Sequence, residues 1–261
     1  MAAISPQSDL RLHELYGPKF YENHRRGSLD SASAYLGHLF TWYRPVSVLD
    51  AGCGRGIWLK TCADLGVQVL YGLDGPWNSQ ENMIDERIRF TSVDLNAGFS
   101  WCKVDLALSL EVAEHLRPEA AQSFVRSLAS ASDVILFGAA CPGQGGVNHL
   151  NERYPSYWGE LFCREGFVVF DLFRPRFWGR SDIDPWYRQN SFLYVRRNHS
   201  LLGALRERGI RPMEGLAFMD CIHPWLHGRS PQFRDHLADL LPSLWRSFRN
   251  RQRQATGGEQ T

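Results

Sequence analysis

The stretch Val48-Leu49-Asp50-Ala51-Gly52-Cys53-Gly54-Arg55-Gly56 decides how this chain is read. An apolar strand runs into an acid, glycine then falls at every second position, and a helical pattern follows from Ile57. Glycine enters positive φ at little cost and, without a Cβ, lets the backbone approach a ligand closely. A helix after such a turn opens with N–H groups that have no intrahelical partner. The next strand, Tyr71-Gly72-Leu73-Asp74, ends in a second acid 24 residues after the first. In dinucleotide-binding folds an acid at that place accepts hydrogen bonds from a ribose diol.

Outward from this turn, short apolar runs predict strands over residues 46–50, 69–74, 88–95, 105–110, 134–138, 167–170 and 192–195. Helical patterns over 57–65, 118–130 and 156–165 lie between them. Strands alternating with helices predict an α/β fold, a doubly wound and mostly parallel seven-stranded sheet. No clear helix separates the last two strands, so they are expected as an antiparallel pair at one edge. Residues 1–44 form an N-terminal helical segment, with helix at 9–16 and at 29–43, where Leu29, Ala32, Tyr35, Leu36, Leu39 and Phe40 recur at helical spacing. Residues 45–197 form the sheet domain. Residues 198–261 form a helical extension over 198–251 with a frayed polar tail from Gln252.

The glycine spacing separates two readings. Nicotinamide and flavin enzymes use Gly-x-Gly-x-x-Gly with a pyrophosphate on the helix N-terminus. Here the pattern is Asp50-x-Gly52-x-Gly54-x-Gly56, and a carboxylate at the strand end repels a pyrophosphate but suits a cationic amino-acid group. This pattern resembles the first motif of the class I S-adenosylmethionine (SAM)-dependent methyltransferases, an acid followed by Gly-x-Gly-x-Gly. Ser92-Val93-Asp94-Leu95 resembles the family's adenine-binding acid, and Asp105-Leu106-Ala107-Leu108-Ser109-Leu110 its fourth-strand motif. The resemblance covers roughly residues 45–197 and implies a Rossmann-like fold and SAM as cofactor. Carried over, it places Asp50 near the methionine ammonium, with Gly52 and Gly54 against the cofactor. Asp74 then holds the ribose hydroxyls, Asp94 the adenine amino group, and the Leu95 backbone faces the ring. Asp94 equally suits a cap on the turn at Leu95-Asn96.

After the fourth strand comes Glu111-Val112-Ala113-Glu114-His115-Leu116. In a helical turn Glu111, Glu114 and His115 share one face, at the carboxyl end of the strands where α/β ligands bind. Glu-x-x-Glu-His is frequent in the methyltransferase group that includes ubiquinone-biosynthesis O-methyltransferases. It also matches the metal-binding motif of the small-RNA 3′-terminal ribose 2′-O-methyltransferases, which add a His after the fifth strand; His149 stands there. Two carboxylates and two imidazoles suit Mn²⁺, Fe²⁺ or Zn²⁺ better than Mg²⁺. The reading without a metal is preferred, with the two glutamates hydrogen-bonded in the turn and His115 packed beside the cofactor. Catalytic roles then fall to His149 as general base, with His115 and Glu111 as its competitors. Tyr157, in Asn151-Glu152-Arg153-Tyr154-Pro155-Ser156-Tyr157-Trp158, is a candidate acceptor contact. So are Trp186, Tyr187 and Arg188, in an insert over 174–190 that interleaves arginines with aromatics and suits stacking plus anion or hydroxyl recognition.

Composition bounds the rest. The 261 residues carry 29 Lys+Arg against 28 Asp+Glu, a formal net charge of +1, so no long nucleic acid is expected as a partner. Aromatics at 13%, including 9 Trp, exceed what a core needs and suit a small organic ligand. Cys53, Cys62, Cys102, Cys141, Cys163 and Cys221 contain no Cys-x-x-Cys pair, and read as thiols of a reducing compartment. No charged and then apolar leader opens the sequence and no run of ~18 apolar residues occurs, so a cytoplasmic protein without a membrane span is expected. A basic amphipathic pattern after Asp239 (Leu240, Leu241, Leu244, Trp245 and Phe248 among Arg246, Arg249, Arg251 and Arg253) suits packing on its own domain or in a homodimer. Together these readings lead to O-methylation of a sugar or natural-product hydroxyl in a small-molecule acceptor. Rivals are a metal-dependent methyltransferase of RNA 3′ ends, a nicotinamide oxidoreductase and a non-catalytic cofactor-binding scaffold.

Overall fold

The computed structural model describes residues 18–224, with side chains from residue 27 onward. The described residues to Cys221 belong to one compact unit. The chain runs α1 (Pro18–Leu39), β1 (Ser47–Ala51), α2 (Ile57–Asp64), β2 (Val69–Asp74), β3 (Ile88–Ser92), β4 (Leu106–Leu110), α3 (Ala121–Ala131) and β5 (Val134–Gly138). It continues through α4 (Pro155–Arg164), β6 (Phe167–Phe170), α5 (Arg174–Phe177), α6 (Pro185–Asn190), β7 (Phe192–Arg196) and α7 (Leu201–Glu207).

The seven strands form one sheet in the order β3-β2-β1-β4-β5-β7-β6. The first five in that order are parallel; β7 is antiparallel to both β5 and β6. The expected antiparallel pair is present, but β7 inserts between β5 and β6 and only β6 reaches the edge. The link between them is also more ordered than its sequence suggests, because Pro175 and Pro185 each open a short helix, α5 and α6.

Each face of the sheet carries its own apolar layer. One gathers Tyr35, Leu36, Trp58, Phe173, Phe177 and Leu205; the other gathers Leu49, Phe124, Leu128, Phe137, Trp158, Phe162 and Tyr194. The N-terminal helix starts earlier than its periodicity predicts, with Pro18 as its first residue, and stops at Leu39 instead of running to 43. Arg44 precedes Pro45, and a residue before proline is pushed out of helical conformation. Its face is core: Tyr35 is fully buried, stacks on Phe173 at 4.7 Å and donates its hydroxyl to Tyr187 O at 2.8 Å.

Helix is expected over residues 198–251; among the described residues α7 stops at Glu207, where Gly209 (φ +77), Pro212 and Gly215 oppose helix, and a 3₁₀ turn follows at Leu216–Asp220. Arg174 clamps that turn to the sheet: Nη1 donates to Met219 O at 2.8 Å, Nη2 to Phe218 O at 3.2 Å, and Asp171 balances its charge at 2.9 Å. Asp220 in turn accepts from Ser156 N and Oγ at 2.8 and 2.6 Å and caps α4. The helix expected at 9–16 and the basic pattern after Asp239 lie outside the described residues. Among the described residues no helix is long and apolar enough to cross a membrane.

Removing the Tyr35 ring opens a cavity in the layer over α1. Tyr35→Ala is expected to cost about 3–5 kcal/mol of unfolding free energy. Tyr35→Phe, which leaves Tyr187 O without its donor, should cost about 1–3 kcal/mol. Urea denaturation of both variants checks this, and equal midpoints for wild type and Tyr35→Ala would place α1 outside the cooperative core.

Candidate active site

Strand order turns back between β1 and β4, and such switch points open a crevice at the carboxyl ends of the strands. The glycine turn fills one wall. Gly52 N and Cys53 N both donate to Leu73 O, at 2.7 and 3.0 Å, so the turn is stitched to the end of β2. Gly52 sits at φ +90, and a Cβ there would lie 2.3 Å from a Val112 methyl. No other residue satisfies both constraints. Gly54 (φ +53) donates its N–H to Asp74 Oδ2 at 2.7 Å, while Gly75 N donates to Asp74 Oδ1 at 2.7 Å.

The two acids lie near the ends of the paired strands β1 and β2, with Asp50 opposite Gly72, and both are buried. Asp74 is satisfied by these amides and by the side chains of Trp77 and Asn78, which pull its pKa down against the larger upward effect of burial. The Trp77 ring lies directly against Gly75, where a Cβ would come within 2.1 Å of it. Asp50 has no hydrogen-bond partner among the described residues. Burial, and then the charge of Asp74, push its pKa up to about 8. The third expected acid, Asp94, is exposed and accepts Asn96 N at 2.9 Å, so one of its oxygens caps the turn Leu95–Ala97. The predicted strand over 88–95 accordingly ends at Ser92.

The opposite wall departs from the expected helical turn. Glu111 takes a left-handed conformation (φ +56), and only Ala113–His115 is helical, as a 3₁₀ turn. Glu111 therefore turns aside to accept from Gln144 Nε2 at 2.6 Å and Asn190 Nδ2 at 3.0 Å. Glu114 is fully buried, and neither carboxylate oxygen has a hydrogen bond of ordinary geometry among the described residues. Burial and the adjoining Glu111 drive its pKa well up, with only the backbone N–H groups of Glu114 and Ala140 opposing.

The loop after β5 closes over this turn, because Leu150 N and Asn151 N donate to Glu114 O at 2.8 and 2.9 Å. That brings His149 edge-on to His115, ring centroids 4.8 Å apart. His149 Nδ1 meets Glu152 Oε1 at 2.8 Å, and His115 Nδ1 faces Asn148 O at 3.3 Å. Burial and His149 lower the His115 pKa to about 4, so it is a neutral imidazole at neutral pH. One ligand atom each from Glu114, His115 and His149 lie within 4.8 Å of one another. The metal-free reading pictures both glutamates as hydrogen-bonded in the turn. Glu111 is bonded in that way to Gln144 and Asn190, whereas Glu114 sets a carboxylate without a hydrogen bond of ordinary geometry beside two imidazoles, a donor set that suits Mn²⁺, Fe²⁺ or Zn²⁺.

The remaining candidates divide. Tyr157 is half-buried beneath the Arg153 guanidinium, 5.3 Å from its ring centre, next to the His149 loop. Tyr187 packs into the core against Trp58 at 5.2 Å, and Trp186 is half-buried beside it. Arg188 is buried, with Nη1 on Trp178 O at 3.2 Å. Sequence reasoning missed Gln144, Asn190 and Glu152. Glu152 lay in a stretch already singled out, three residues after His149. The partners of Glu111 are 33 and 79 residues away, and no spacing signals them.

No family model and no curated protein matches the chain. Among solved structures it is similar to magnesium protoporphyrin IX methyltransferase from Synechocystis PCC 6803 with bound SAM, at 19% identity and a TM-score of 0.50, covering 75% of this chain and 99% of that one. The methyltransferase domain of bacterial CtHen1 aligns at 17% identity over 66% of this chain and 98% of its own, with a TM-score of 0.48. Human N-acetylserotonin methyltransferase in complex with SAM aligns at 15% identity over 74% and 56%, with a TM-score of 0.47. The chain has the fold of the class I SAM-dependent methyltransferases.

The raised pKa of Asp50 has a sign. The folded protein keeps a proton that the unfolded chain releases, so stability from this group is full below pH 3.8 and is lost as pH rises to about 8. Asp50→Asn should flatten that part of the decline and raise the urea midpoint at pH 8 relative to wild type. An identical pH 4–8 profile in the variant would show that Asp50 ionises normally.

Proposed function

We propose that this chain transfers a methyl group from SAM to a hydroxyl of a small-molecule acceptor, a sugar or natural-product scaffold. The observation that carries the reading is the pair of buried acids flanking a left-handed glycine turn, one of them without a partner. Asp50 offers a carboxylate to an ammonium group, and Asp74 offers lone pairs to ribose hydroxyls. Gly52 and Gly54 admit close backbone contact, while Asp94 and the Leu95 backbone flank an adenine. Bound SAM supplies an electrophilic methyl group on a sulfonium. The carboxylate of Glu152 favours the Nδ1–H tautomer of His149 and leaves Nε2 to take the acceptor's proton. His115, with its lowered pKa, is too weak a base for that task and instead braces the loop through Asn148. The net charge of +1 supports a small acceptor over a long nucleic acid.

Calorimetry is expected to detect S-adenosylhomocysteine binding and no NADH binding. Asp74→Ala should weaken the former by about 1.5–3 kcal/mol, the worth of hydrogen bonds to a charged acceptor. Tight NADH binding would overturn the reading, and unchanged affinity in the variant would move the ribose elsewhere.

The buried carboxylate of Glu114, without a hydrogen bond of ordinary geometry, favours a second reading of the acceptor side. Glu114, His115 and His149 would hold a transition-metal ion there, with Glu111 adjoining, and the ion would supply Lewis acidity toward an acceptor hydroxyl. Metal analysis of purified protein is then expected to find about one equivalent, lost in Glu114→Ala while S-adenosylhomocysteine affinity is retained. Substoichiometric metal in wild type would leave His149 acting alone.

A further inference from the structure

The insert between β6 and β7 carries four arginines, and the fold treats them differently. Arg174 is buried and fully paired, with Asp171 beside it and two carbonyls on its terminal nitrogens. Arg180 is exposed and paired with Asp182, and Arg176 is exposed. Arg188 alone is both buried, at 8% exposure, and without an ion pair among the described residues.

Its one side-chain hydrogen bond runs from Nη1 to Trp178 O at 3.2 Å. Nε is sealed from solvent and has no hydrogen-bond partner among the described residues. Asp182, which feels its charge, is exposed and already bound by Arg180. A buried guanidinium is costly unless an opposite charge and hydrogen-bond acceptors offset its lost hydration. The unbonded nitrogen belongs to the Nε/Nη2 edge, a face on which a guanidinium takes two oxygens of a carboxylate or phosphate in parallel.

The topology puts this side chain's helix at the site. Because β7 runs antiparallel to β5, its first residue, Phe192, pairs with Phe137 near the carboxyl end of β5. The residues just before it therefore lie at the same end of the sheet as the crevice. Two positions after Arg188, Asn190 donates to Glu111 Oε1 at 3.0 Å, and its own Oδ1 is buried without a partner.

We propose that Arg188 is the anchor for an oxyanion, a carboxylate or phosphate group carried by the acceptor. This rests on the methyltransferase reading for what the anion is attached to, but not for the anion site itself. The test is thermal unfolding of wild type, Arg188→Met and Arg176→Met in chloride buffer, with added inorganic phosphate or malonate, alongside calorimetry with S-adenosylhomocysteine.

At a tenfold excess over its dissociation constant, a bound anion should raise the wild-type Tm by roughly 3–6 °C. Arg176→Met should keep that response, and Arg188→Met should lose it while melting no lower than wild type without anion. A response to phosphate alone points to a phosphorylated acceptor, and one to malonate alone to a carboxylated one. The same response in Arg188→Met, no response in wild type, or an anion-free Tm lowered in Arg188→Met would overturn the proposal. Failure to bind S-adenosylhomocysteine would instead sink the methyltransferase reading and leave the anion result standing on its own.

Discussion

A single carbonyl oxygen, that of Leu73, accepts the N–H groups of Gly52 and Cys53, and the architecture of the crevice follows from that fork. It ties the turn after β1 to the last residues of β2, where the parallel register already sets Ala51 opposite Leu73. The two strands thus end level, and their terminal acids stand close enough for Asp74 to raise the pKa of Asp50. The fork also forces left-handed backbone at Gly52, and Val112 occupies the space where a side chain would project. At Gly52 the turn that shapes one wall therefore meets Val112 in the loop of the other.

Charge satisfaction separates scaffold from site in this molecule. Asp105, at the amino end of β4, is neutralised by Val46 N, Ser47 N and Ser47 Oγ. Arg196 is held by Asp133 and by the carbonyls of Glu165 and Ala129. Among the described residues, buried charged side chains fall short of partners at Asp50, which has none, at Glu114, whose carboxylate oxygens have no hydrogen bond of ordinary geometry, and at Arg188, whose Nε is unbonded. All three belong to segments at the carboxyl end of the sheet. Natural proteins tolerate such unfavourable burial where function requires it, and offset it with well-packed structure elsewhere. Here the offset is visible in two dense apolar layers and in the Arg174 clamp.

The placement of β7 links these features. An all-parallel sheet would bring each strand back with its amino end away from the crevice. One antiparallel strand next to β5 reverses that, so the helix preceding it, with Arg188 and Asn190, lies at the crevice end of the sheet. Asn190 then bonds both Glu111 and Gln144, fixing Glu111 beside Glu114, which in turn adjoins the two histidines.

What the sequence by itself determined was the local and the periodic. Glycines at alternate positions after an acid admit few backbone paths, and strands of four to six residues between helical patterns admit one fold class, so the turn, the sheet and its seven strands were legible. Asp50, Asp74, Glu114, His115 and His149 were likewise visible as residue types at strand ends. The tertiary structure alone decided which of them are satisfied. Glu111 is well bonded because Gln144 and Asn190, far off in sequence, offer donors; the Glu114 carboxylate has no hydrogen bond of ordinary geometry because no side-chain donor of that kind reaches it. Arg188 and Arg174 look alike in the sequence, and differ because only one has an acid three residues before it and a 3₁₀ turn to clamp. Desolvation and partner geometry are properties of the packed chain, and no spacing along it encodes them.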